Sequence, residues 1–68
     1  MTGQDLHRLS VSRMLIERAV NTLRLVLPCV GPEEARLVAG LLHAEDALSN
    51  LRDAERVAAY NAGAEAQS

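Results

Sequence analysis

Sixty-eight residues allow one domain at most, and a chain of this size hides only about 60% of the surface that its unfolded form exposes. Its apolar half is aliphatic, with eleven Leu, eleven Ala and six Val against one Tyr and no Phe or Trp, a composition that builds helices rather than sheets. The formal charge of −2, with every basic side chain an Arg, gives none of the Lys clusters and stacking aromatics by which nucleic-acid binders are recognised.

The first arm opens at Thr2, whose hydroxyl is placed to cap a helix, with Asp5 three residues on as the returning carboxylate of a capping box. Leu6, Leu9, Ile16, Ala19, Val20, Leu23, Val26 and Leu27, with Leu15 at the edge, cover about half the circumference of the helix predicted over 3–27. That stripe is too broad for one neighbouring helix. Val11, Met14 and Leu25 form a second, thinner apolar strip beside His7 and Arg18, read either as a partner surface or as incidental exposure.

Pro28 lacks a backbone N–H and ends the first helix. Gly31, Pro32, Glu33 and Glu34 then restart one, with Gly31 as cap, Pro32 at the first helical position and two carboxylates toward the positive end of the helix dipole. The predicted turn spans 28–31 and holds Cys29, the single cysteine, for which a structural or incidental role is expected. No intrachain disulfide is then possible, and a reducing compartment is the default.

The second helix is predicted over 32–62, longer than the first, so it must overhang. Leu37, Leu41, Ala44, Leu48, Leu51 and Ala58 recur at spacings of three and four, interrupted by Glu55, as a heptad-like seam. Beside them Gly40, Ala47 and Ala54 form a row of small residues. Gly40 in a helix interior costs about 1 kcal/mol relative to Ala, which points to close approach of the same helix from a second copy, or to tolerance on a solvent face. On the other edge Val38, Leu42 and Tyr60 sit near Ser49, Asp53 and Arg56, the best candidate contact for another protein. Asn61 and Gly63 are expected to stop the helix and leave 63–68 as a frayed tail.

The first 32 residues carry four Arg against two acids, the remaining 36 three Arg against seven. A basic arm beside an acidic one favours antiparallel pairing, with Arg24 expected toward Glu33 or Glu34, Arg13 toward Glu45 or Asp46, and Arg8 toward Asp53 or Glu55. A hairpin turning near 29–30 places His7 about 13 Å along the axis from His43, too far for one site. Two distant His and one Cys fall short of a zinc ligand set. Cys29 has no His within reach for nucleophilic chemistry, and two helices provide no cleft to tune a carboxylate pair. No enzyme activity, metal or cofactor is expected. With no basic, apolar leader and no apolar run near the ~20 residues of a membrane span, the expected location is the cytoplasm.

The fold class read from these patterns is all-α: a two-helix antiparallel hairpin that dimerises into a four-helix arrangement. Its dimer and core positions are Leu9, Ile16, Val20, Leu23, Leu37, Leu41, Ala44, Leu48, Leu51 and Gly40. Its partner-facing positions are Val38, Leu42, Tyr60 and Arg56, together with Val11, Met14 and Leu25. In size, two-helix layout and Arg/Ala/Leu-rich composition the whole chain resembles the small helical phage proteins that inhibit host regulators, the quorum-sensing anti-activators among them. No motif is shared, so no residue role carries over. The resemblance implies a bacterial host and a larger target such as a transcription regulator or an ATPase. The expected function is a small homodimeric protein-binding module that occupies the surface of a larger regulator. A structural or oligomerisation subunit is the alternative, and a small DNA-binding regulator a more distant one.

Overall fold

The computed structural model describes residues 1–27 and 31–67, with side chains through residue 63. The predicted turn residues Pro28 and Cys29 lie outside the described residues. Two helices, α1 (Gly3–Val26) and α2 (Glu34–Gln67), make up the fold.

The capping box at the start of α1 forms in full. The Thr2 hydroxyl accepts from the Asp5 backbone N–H at 3.1 Å, and the Asp5 carboxylate accepts from the Thr2 N–H at 3.2 Å. Two donors that a helix start otherwise leaves unpaired are thereby satisfied. Along the helix the hydroxyls of Ser12 and Thr22 donate to the carbonyls of Arg8 and Arg18, each at 2.9 Å, which satisfies the hydroxyls without ending the helix.

α2 departs from expectation at both ends. It begins at Glu34 rather than Pro32, because the Gly31 carbonyl accepts from the Glu34 N–H at 3.1 Å and holds 31–34 as a turn, with Pro32 at the second position that suits its fixed φ. It continues through Asn61 and Gly63 to Gln67, replacing the expected frayed tail. The alternating alanines at 62, 64 and 66 are the best helix formers, and one interior glycine at about 1 kcal/mol does not stop them.

The core is small. Among the described residues Val20, Leu41 and Leu48 are the buried hydrophobic ones, with Ile16, Leu23, Leu27 and Ala44 packed against them. Leu9, Leu37 and Leu51, also expected at the seam, are half-buried. The stripe on α1 is wider than one neighbour covers, as its breadth indicated: Ala19, Leu15 and Val26 stay exposed, because one helix contacts only one side of another.

The register between the helices differs from expectation. Arg24 pairs with Glu45 at 2.8 Å and Arg13 with Glu55 at 2.9 Å, while Arg52 reaches Glu17 at 3.3 Å. Residues whose numbers total about 69 therefore lie at one level, where a turn at 29–30 would have given about 59. The expected partners Glu33, Glu34 and Asp46 pair with none of these arginines, and Arg8 forms no ion pair among the described residues. The reason lies in the link: α2 starts only at Glu34, and its first nine residues run some 13 Å past the end of α1. The overhang is thus at the hairpin end. The Cα trace measures 56 × 15 × 13 Å, a flat rod two helices wide.

Candidate protein-interaction surfaces

With Val20 and Leu48 taken as the directions in which the helices face each other, roughly 100° per residue divides the rod into two broad faces. One carries the charge. On it Arg13 donates from Nε to Glu55 and from Nη1 to Glu17 at 3.0 Å, and Arg52 reaches the other oxygen of Glu17, so a continuous network Glu55, Arg13, Glu17, Arg52 crosses the seam twice. Arg24 and Glu45 close the row toward the hairpin end. Arg13 and Glu55 are the most shielded members, with side chains 24% and 25% exposed. The Arg13 guanidinium, followed by the Ser10 hydroxyl, holds the Glu55 carboxyl below its usual value. Asp5 is lowered likewise, first by the Thr2 N–H and then by the Thr2 hydroxyl.

A groove of about 320 Å³ opens between these pairs, with Val20 and Leu48 at its floor and Glu17, Arg24, Glu45 and Arg52 on its walls. Each wall carboxylate already holds a guanidinium, so the groove offers balanced charge and no free nucleophile or base. Among the described residues no three His, Cys, Asp or Glu stand close enough to hold a metal ion, and no helix is long and apolar enough to cross a membrane. The observed register puts His7 level with about residue 62, some 28 Å from His43, about twice the expected separation.

The partner-facing positions named from the sequence all reach solvent. Leu25 and Tyr60 are the most open, and Val38, Leu42, Val11 and Met14 are exposed with them. The fold does not gather them into one patch. Met14 and Leu25 border the charged face along α1, whereas Val38, Leu42 and Tyr60 border it along α2, and the ion-pair row runs between. Arg56 pairs with Asp53 on its own helix. Val57, also exposed, sits on the outer side of α2 opposite the seam, a position that its spacing from Leu48 already indicated.

The other face is uncharged over its middle, with Asp5, Arg8 and Arg36 toward its ends. From Leu9 to Leu27 on α1 and from Leu37 to Ala62 on α2 it carries no charged residue except Glu55, which turns into the seam toward Arg13. Ala19, Val26 and Leu15 stand on it from α1, and Gly40, Ala47 and Ala54 from α2, all exposed. A Cβ added to Gly40 would meet nothing within 4 Å. Among the described residues no other part of the chain approaches this glycine closely.

No protein-family profile matches the chain, and neither a curated protein nor a solved structure matches it.

Proposed function

We propose that this chain is a homodimeric protein-binding module, two hairpins forming a four-helix unit that acts by occupying the surface of a larger protein. The observation that carries this reading is exposed area. The chain leaves 5230 Å² accessible, whereas a compact monomer of 7.3 kDa would expose about 4,200 Å². The excess, about 1,000 Å², is the size of surface that one partner contributes to a stable interface. Ten large hydrophobic residues from Met1 to Tyr60 lie in that exposed area, more than a helical monomer needs to leave open.

The two borders of the charged face suit a protein partner. They combine flexible Met14, the aromatic Tyr60 and the arginines Arg18 and Arg56, the residue types enriched where binding energy concentrates. Inhibition of a transcription regulator or an ATPase is the form this activity takes if the likeness to phage inhibitors extends to the target. Sedimentation equilibrium at micromolar concentration tests the dimer, and a monomer that stays folded and unassociated would overturn it. Truncation of Tyr60 and Met14 to Ala tests the docking surface, with loss of partner capture at unchanged dimerisation as the expected result. Capture that persists would place the docking surface elsewhere, and failure of the unaltered chain to capture any partner would favour a plain oligomerisation subunit.

A further inference from the structure

The uncharged face is the place where a second copy fits, and we infer that two hairpins pack through it antiparallel, α2 against α2, about a two-fold axis at the level of Ser49. The inference rests on the dimeric reading above and adds the face and the register to it.

Three observations converge. Among the described residues, all five ion pairs involve the charged side or the seam. Burial of the charged face would desolvate that network, whereas the middle of the other face buries mainly aliphatic side chains and alanines, with Ser12, His43 and Asn61 as its polar members. The second is area. Between Leu37 and Ala62 the face runs about 38 Å, and at a width of 15 Å it gives about 570 Å² per copy, so a pair buries about 1,100 Å², above the ~1,000 Å² that a specific interface needs. The third is Gly40, an interior glycine over which an added Cβ would meet none of the described residues within 4 Å.

An axis at Ser49 brings Gly40 of one copy level with Ala58 of the other, Ala44 with Ala54, and Ala47 with Leu51. Small residues then oppose small ones along most of the seam, which lets the backbones approach, and Leu51 fills the centre. On α1 the same operation puts Ala19 beside the axis and Ile16 level with Leu23. The two-fold makes the interface self-complementary, as a closed dimer requires.

Two measurements on the full chain test it. In sedimentation equilibrium Ala47→Glu, which places two carboxylates near the axis, is expected to lower the association constant by at least about a hundredfold. Ser49→Glu, on the charged side of the same helix, should leave it within about twofold. Disulfide formation supplies a test that needs no buried charge. In a Cys29→Ser background the pair Gly40→Cys and Ala58→Cys is separated by about 27 Å within one helix, so oxidation can link the two positions only between copies. Rapid covalent dimer is expected. Absence of the cross-link, or association broken by Ser49→Glu and not by Ala47→Glu, overturns the face and register while leaving the dimer intact. A wild-type monomer at every concentration overturns the dimeric reading itself.

Discussion

Leu42 and Leu48 provide the sharpest test of how α2 is rotated. They are the same residue on the same helix, but Leu48 is 6% exposed beneath α1 and Leu42 is 56% exposed on the border of the charged face. Leu→Ala at a buried site costs about 2–5 kcal/mol from lost transfer energy and the cavity left behind. The seam is one layer deep and can partly close, so the lower part of that range, about 2–3 kcal/mol, applies to Leu48→Ala. In a domain of this size about 1 kcal/mol moves Tm by 4–8 °C, so a drop of roughly 10–20 °C is expected. Leu42→Ala removes little buried area, and its effect should stay within about 0.5 kcal/mol. Thermal melts followed by far-UV circular dichroism at matched concentration give both values. Equal shifts for the two variants, or a larger shift for Leu42→Ala, would mean that α2 presents another side to α1.

The remaining predictions concern charge and backbone. Glu55 and Asp5 have folded-state pKa values below the usual 4.5 and 3.8, so the stability they contribute is fully present above those values and is lost as pH falls through the lowered ones. Urea midpoints should therefore be flat from neutrality to about pH 4.5 and fall below it, and a rise on acidification would contradict the assigned pairs. Arg13→Glu should lower Tm, and Glu55→Arg in the same chain should restore it, whereas Glu45→Arg should not; rescue by Glu45→Arg would reinstate the shorter register. Gly40→Ala should stabilise the dilute hairpin by about 1 kcal/mol, since the added methyl meets none of the described residues and helix propensity improves. Loss of stability in a dilute thermal melt would show the position to be occupied within the chain.

Much of the architecture was legible in the sequence because it is written in local terms. The capping box of Thr2 and Asp5 depends on residues three apart, and the apolar spacing of each arm identifies its inner side, with Val20, Leu41 and Leu48 all on it. The register was not legible, for a physical reason. Apolar residues that recur every three or four positions present nearly the same stripe after a slide along the axis, so Leu37, Leu41, Ala44, Leu48 and Leu51 offer several acceptable alignments. Ion pairs at the surface are individually too weak to choose between them from the sequence. The assumed turn at 29–30 supplied the missing constraint, and the observed start of α2 at Glu34 removed it. Likewise the extent of α2 depended on whether Gly63 or its neighbouring alanines dominated, a balance of about 1 kcal/mol.

The one break in the apolar seam explains how the register is held. Glu55 takes a position that the pattern reserves for a hydrophobic residue, and the opposed site on α1 is Arg13, flanked by Leu9 and Ile16 one turn to either side. A slide of one turn would leave the carboxylate against aliphatic side chains and strand Arg13 opposite another part of the seam. The cost of a polar residue there is offset only when both partners are level, which is how a single polar position in a helical seam selects one alignment over others of similar apolar burial. Arg13 also engages Glu17, and Glu17 engages Arg52, so the selection is shared across two turns and oriented toward one face. The same device that aligns the hairpin therefore draws its ion pairs to one side, and the middle of the opposite side is left uncharged.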